Sequence, residues 1–244
     1  TLAFAAIGGL AARDLRTLAA WMICGSAGTL LMLVGVGTHA SLGAALFYLP
    51  HATFAAAALM LVAGLLASAR GTALADRFEA GPRPAGATLL GTLFVVCGLA
   101  SAGLPPFSGF VAKAILLDSV IDSPAAVAIW IVVLGASLAW VVALSRGGSL
   151  VFWKSAAAPE GAPLDEAQPA AFQPGELHEA EPRPGAVSAI VLLAAAGVAI
   201  VLFAAPLARH FARAGAQLQS PSDYREAVLG RMPVSGTAPA GVAP

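Results

Sequence analysis

Lys113 is the residue whose position most demands a chemical reason. It follows Gly103-Leu104-Pro105-Pro106-Phe107-Ser108-Gly109-Phe110-Val111-Ala112 and precedes Ala114-Ile115-Leu116-Leu117. It alone among the Lys, Arg, Asp and Glu residues has long apolar sequence on both sides. A charge at that depth in lipid costs a few kcal/mol or more, and folding a membrane helix does not require it. A lysine there reads as a site that handles charge, most simply a proton. Pro105 and Pro106 supply no backbone donors, and Gly103 and Gly109 loosen the chain around them, so a helix break is expected beside the amine. Carbonyls freed in such a break need polar partners, and breaks of this kind build mid-membrane cavities in transporters. The competing reading is a lysine near the start of its helix that snorkels to the interface.

His51 is the second candidate. It stands in Phe47-Tyr48-Leu49-Pro50-His51-Ala52-Thr53-Phe54, in the first third of an apolar segment. Histidine can relay a proton through water near neutral pH. Pro50 removes one helical hydrogen bond beside it, and Tyr48, Thr53 and Ser108 are hydroxyls available to the same pocket. A neutral His making one interhelical hydrogen bond is the alternative. Arg16 and Asp14 come third, at a helix start. They read either as a surface cap and ion pair or as part of a water-filled entrance. Asp118 and Asp122 follow Lys113 at spacings that do not stack on it in a helix, where neighbours are three or four apart, and they read as marking the membrane exit.

The elements that must position these residues follow from composition. The chain has 244 residues, 59 % hydrophobic and only 11 % charged, against about one quarter charged in a typical soluble domain. The charges crowd into short stretches between long apolar runs. That pattern predicts an all-α, polytopic transmembrane helix bundle with one discontinuous helix. Alternating strand patterns are absent, which argues against a β-barrel. The formal net charge is zero, so nucleic acid is not an expected partner. Cys24 and Cys97 lie inside apolar runs and read as packing residues rather than a disulfide or metal site. No metal-ligand cluster, phosphate loop or nucleophile–base pair is visible, so no cofactor and no enzymatic chemistry are expected. Gly8-Gly9 and Gly147-Gly148 read as ordinary helix-edge glycines.

Residues 1–153 read as the helical region. A truncated span ends near residue 12, and Asp14 is the expected N-cap of a span at 15–37. Thr38-His39-Ala40-Ser41 reads as a short loop before a span at 42–69. A solvated connection at 70–84 precedes a span at 87–104, broken by Pro105-Pro106. The stretch 107–122 is short for a crossing of about 20 residues. The next span is 124–145. Residues 154–185, with six prolines and six acidic residues, predict an extended surface loop. A final span at 186–208 leads into a polar tail, 209–244, with a short helix expected near Asp223–Leu229. If the spans alternate, the loops at 13–16 and 70–84 share one side, and Arg146, Lys154 and Arg183 lie on the other. The chain starts at Thr1 within a helix end, which reads as the C-terminal piece of a longer protein.

These blocks carry a family resemblance. Ala12-Arg13-Asp14-Leu15-Arg16-Thr17-Leu18-Ala19-Ala20-Trp21 resembles a polar turn followed by Asp-Leu-Lys and Leu-Ala-Tyr. That motif opens a central helix in the large proton-pumping subunits of respiratory complex I and their antiporter relatives. The segment Tyr48–Leu59 resembles that family's next helix with its His. The block ending in Lys113 resembles its discontinuous helix with a terminal Lys or Glu. Arg146-Gly147-Gly148-Ser149-Leu150-Val151-Phe152-Trp153 and Asp223-Tyr224-Arg225-Glu226-Ala227-Val228-Leu229 are similar, more narrowly, to D subunits of multisubunit Mrp-type monovalent cation/proton antiporters in their proteobacterial form. Arg16 stands where the family has Lys, Trp21 replaces Tyr, and Pro50 is unusual beside the His. Arginine cannot shuttle a proton, because it stays protonated at any working pH.

The resemblance implies about six spans and the end of a seventh out of fourteen. It also implies a multi-pass subunit in a bacterial plasma membrane. The partners implied are the lipid bilayer, other antiporter subunits, protons and monovalent cations (Na⁺ or K⁺). It makes Lys113 the terminal protonatable residue of a half-channel and places His51 on a central polar axis. The alternatives are a proton-pumping subunit of complex I or of a membrane-bound hydrogenase, and an inactive structural or assembly subunit.

Overall fold

The computed structural model of the protein describes residues 1–81, 83–84, 86–154 and 184–219. Among the described residues eight α-helices follow one another: α1 (Leu2–Ala11), α2 (Leu15–Val36), α3 (His39–Leu74), α4 (Ala87–Ala102), α5 (Ser108–Ser119), α6 (Ala126–Gly148), α7 (Pro184–Leu202) and α8 (Ala204–Gln219). A π-helical turn, Ser149–Trp153, extends α6. Among the described residues there is no strand, only an isolated bridge between Asp14 and Arg77. The all-α bundle is as the sequence predicts. Among the described residues four segments, Leu15–Val36, His39–Gly71, Ala126–Trp153 and Pro184–Leu202, are long and apolar enough to cross a membrane. With 16 and 12 residues, α4 and α5 are each too short for about 30 Å of hydrocarbon, and together they make one interrupted crossing.

Small residues let these helices approach. Ala5, Ala19, Ala44, Ala63, Ala112, Ala136 and Ala143 are all buried, while Ile7, Leu31, Val127, Ile131, Leu138 and Leu192 point outward. Packing by small side chains and outward large apolar ones is what a lipid solvent favours, since lipid tails compete evenly for Leu and Ile. α3 is the hub and packs against α2, α4, α5, α7 and α8. It stays helical through Pro50, and its only non-helical backbone is at Gly71. Gly8, Gly9, Gly147 and Gly148 differ from the expectation of plain helix edges. They leave room for the rings of Trp21, Trp140, Phe78 and Phe94.

One end of the bundle is knitted together by polar contacts. Asp14 caps α2, accepting from the Thr17 amide at 2.6 Å. Asp76 is buried and completes the cap: its carboxylate accepts from the Arg16 amide at 2.8 Å, and its carbonyl accepts from the Leu15 amide. The first-turn donors that a helix leaves unpaired are thereby satisfied. Buried Arg70 donates to the carbonyls of Arg77 and Glu79, both at 2.6 Å, and holds the same loop. Arg146 donates to the Ala12 carbonyl at 2.6 Å. This corrects the expected side of Arg146: because α4 and α5 share one crossing, the end of α6 returns to the side of the 13–16 and 70–84 loops.

Two further expectations change. His39–Ser41 is not loop, because Thr38 caps α3 in a reciprocal pair with Ser41. The last span ends at Leu202, not 208. Beyond Phe203 the chain forms α8, whose apolar seam of Leu207, Phe211 and Gly215 packs on the first turns of α3. Gln219 donates to the Gly37 carbonyl. The 154–185 loop beyond Lys154 and the helix expected near Asp223–Leu229 lie outside the described residues.

Candidate functional site: an interrupted helix around Lys113

The interruption is built by sequence. Gly103 takes the left-handed conformation (φ 83°) that ends α4, and the amides of Gly103 and Leu104 return to the Leu99 carbonyl. That is a helix stop that glycine supplies without strain. Pro105 and Pro106 then carry the chain to α5, which starts at Ser108. The Ala102 carbonyl, at the end of α4, has no partner within its helix. Lys113 fills that vacancy: its Nζ donates to the Ala102 carbonyl at 2.5 Å and to Ser137 Oγ on α6 at 2.8 Å. The side chain lies on Gly103, where a Cβ would stand 2.7 Å from Nζ. The amine also sits at the negative end of α4's dipole, where a cation gains about 0.3–1 kcal/mol. Lys113 therefore turns in to the break.

His51 is buried on α3, and its Nδ1 is 2.9 Å from Ser108 Oγ at the first residue of α5. Gly109 is where α3, α4 and α5 meet. A Cβ there would collide with the Ala100 carbonyl and stand 2.8 Å from Gly103 Cα and 3.0 Å from His51 Cε1.

Lys113 and His51 line one cavity of about 40 Å³. That volume holds two to four waters, at about 10–15 Å³ each. Tyr48, Ser26, Thr29, Ser101 and Ser137 share its wall, and the Tyr48 hydroxyl donates to Ser26 Oγ at 3.3 Å. Lys113 and Ser137 also line a groove of about 680 Å³ on the outer side, with Asp118 at its edge. The Lys113–Ser137 pair is thus the partition between an inner cavity and an outer groove. Such an arrangement lets one amine exchange a proton with either space.

Not every candidate from the sequence reaches this place. Lys113, His51, Tyr48, Ser108 and the break residues Gly103, Pro105, Pro106 and Gly109 do. Thr53 does not: its hydroxyl is exposed and donates back to the Leu49 carbonyl at 2.9 Å. Arg16 is exposed and Asp14 caps α2, so among the described residues both serve the turn at the end of the bundle and neither lines the cavity. Ser26, Thr29, Ser101 and Ser137 do not stand out in the sequence. Their only signal is a lone hydroxyl inside an apolar run, which is common in membrane helices because the group can bond its own backbone. Ser137 does that too, donating to the Val133 carbonyl at 2.8 Å.

Comparison with known proteins fits this geometry. Residues 1–139 match the family described as NADH:quinone oxidoreductase/Mrp antiporter, TM. The D subunit of a probable K(+)/H(+) antiporter of Rhizobium meliloti is 35 % identical over 182 residues, covering 64 % of this chain and 34 % of that protein. The D subunit of a Na(+)/H(+) antiporter of Alkalihalophilus pseudofirmus is 25 % identical over 94 % of this chain and 43 % of its own length. The fold matches a chain of the Mrp complex from Dietzia with a TM-score of 0.75 at 24 % identity, covering 94 % of this chain and 47 % of that one. The chain thus spans less than half the length of each of these relatives. It is a multi-pass membrane protein, its narrower likeness to D subunits is borne out, and it belongs to the NADH:quinone oxidoreductase/Mrp antiporter transmembrane family.

Proposed function

We propose that this chain is a membrane subunit of a multisubunit monovalent cation/proton antiporter and carries part of its proton path through Lys113 and His51. The supporting observation is the cavity of about 40 Å³ that both residues line, with water-sized room and five hydroxyl side chains around it. Lys113 loads and releases the proton, and His51, tied to Ser108, connects the amine to the cavity water. The chain itself carries no redox chemistry. Coupling to Na⁺ or K⁺ takes place with partner subunits in a bacterial plasma membrane. The side that bears Arg13, Arg16, Arg70, Arg77, Arg83, Arg146 and Lys154 faces the cytoplasm by the positive-inside rule, against Arg209 and Arg213 beside the opposite end. The family also includes NADH:quinone oxidoreductase subunits, but the antiporter names of the relatives favour the antiporter reading.

The test is Lys113→Ala in the full-length complex, read as cation-dependent proton flux in inverted membrane vesicles. Loss of flux with normal assembly is expected. Flux at the unaltered rate would overturn the path and favour an inactive structural subunit.

A further inference from the structure

We infer that Ser137 is a positioning residue for the proton-carrying amine, the one partner of Lys113 able to serve both of its charge states. The inference rests on the proton-path reading above. Among the described residues two protein groups accept hydrogen bonds from Nζ: the Ala102 carbonyl at 2.5 Å and Ser137 Oγ at 2.8 Å. A carbonyl only accepts hydrogen bonds, whereas a hydroxyl both donates and accepts. With the lysine charged, Ser137 donates to the Val133 carbonyl at 2.8 Å and turns its lone pairs to the ammonium, an assignment that both distances fit. When the ammonium passes its proton to cavity water, the nitrogen keeps an electron pair that a carbonyl cannot satisfy. Rotation of the Ser137 hydroxyl away from Val133 lets it donate to that pair. No heavy atom need move, and the proton on Ser137 stays on Ser137.

Placement makes this more than a packing contact. Lys113 and Ser137 both line the inner cavity and both line the outer groove. Gly103 brings the lysine stem against the backbone, with an ideal Cβ only 2.8 Å from Cδ and 2.9 Å from Cε, so the amine has little freedom to find another partner. Among the described residues, the titratable groups sharing a space with Lys113 are His51 and Tyr48 of α3, across the cavity, and Asp118 of its own helix, in the groove. Among the described residues α7 carries no ionisable side chain, α6 carries none before Arg146, and Cys97 of α4 lines neither space.

The experiment compares Ser137→Ala, Ser137→Thr and Lys113→Ala in the full complex, measuring cation-dependent proton flux as a function of pH in inverted vesicles, with assembly checked. Ser137→Ala is expected to lower flux about tenfold, the scale of one hydrogen bond to a charged group. Because a hydroxyl holds the charged amine about tenfold more strongly than the neutral one, its loss should also shift the pH of half-maximal flux by about one unit, tenfold in an equilibrium being one pH unit. Ser137→Thr keeps the hydroxyl and should return both to within about twofold of the unaltered complex. If Ser137→Ala does not assemble, Ser137→Cys carries the same expectation, because a thiol is nearly isosteric but a weak donor and acceptor. An unmoved pH midpoint, or Ser137→Thr behaving like Ser137→Ala, overturns the inference. Full flux in Lys113→Ala overturns the proton path itself, so the two failures are told apart.

Discussion

Gly109→Ala puts the largest demand on the geometry for the smallest chemical change. The added methyl would collide with the Ala100 carbonyl and stand 2.8 Å from Gly103 Cα and 3.0 Å from His51 Cε1. Two of those three neighbours are backbone at the end of α4, which the stop at Gly103 fixes. Overpacking of this kind costs about 1–3 kcal/mol, and here α5 must shift away from α4 to relieve it. That shift opens the bond from Nζ to the Ala102 carbonyl. A hydrogen bond to a charged group contributes about 1.5–3 kcal/mol, so the seated lysine should be depleted by about 10- to 150-fold. Gly135→Ala on α6 is the matched control, since nothing lies within 4 Å of a Cβ there. The assay pairs the thermal midpoint of the detergent-solubilised complex with cation-dependent proton flux. Gly109→Ala should lower both, and Gly135→Ala should leave both unchanged or raise the midpoint slightly. A Gly109→Ala complex with unaltered midpoint and flux would refute the claim that α3, α4 and α5 meet there in fixed contact.

Asp76→Ala removes the side-chain acceptor for the Arg16 amide and should cost about 0.5–2 kcal/mol of cap stabilisation. The expected readout is a thermal midpoint lower by a few degrees with the pH dependence of flux unmoved, because Asp76 lies outside the cavity lining. Gly215→Ala would place a Cβ 2.7 Å from the Gly43 amide nitrogen and 2.8 Å from the His39 carbonyl. It should loosen α8 from α3, read as faster hydrogen exchange over residues 204–219 with α2 unchanged.

The discontinuous helix is legible in the sequence because its causes are local. A glycine able to adopt positive φ, two prolines without amides and one charge in an apolar run state a break whatever surrounds them. The cap at Asp14 is legible for the same reason. The hydroxyls of Ser26, Ser101 and Ser137 are not, because a serine in an apolar helix carries no sign of whether it meets a partner or bonds its own turn. Thr53 shows the converse: it lies two residues from His51 in the chain, yet its helix carries it to the outer face. Counting two short helices as two crossings puts Arg146 on the wrong side. The contact that corrects it joins positions 134 residues apart, beyond what local pattern can reach. α8 escapes a reading by mean polarity because its apolar residues recur at helical spacing among Arg209, His210 and Arg213, and the average looks like tail.

The break and the lysine are one device. Ending α4 at Gly103 leaves the Ala102 carbonyl without an amide, which is a cost in any apolar setting unless a donor is brought to it. Lys113 is that donor, reaching back from the second turn of α5. The same interruption that makes the acceptor also removes the Cβ that would block the stem, and it places the cation at the negative end of a helix. Arginine could satisfy the carbonyl but could not give up a proton, whereas lysine can do both. The same reasoning limits what Arg16 implies. Among the described residues Arg16 is exposed and gives its backbone amide to the Asp76 cap. It does not line the Lys113–His51 cavity.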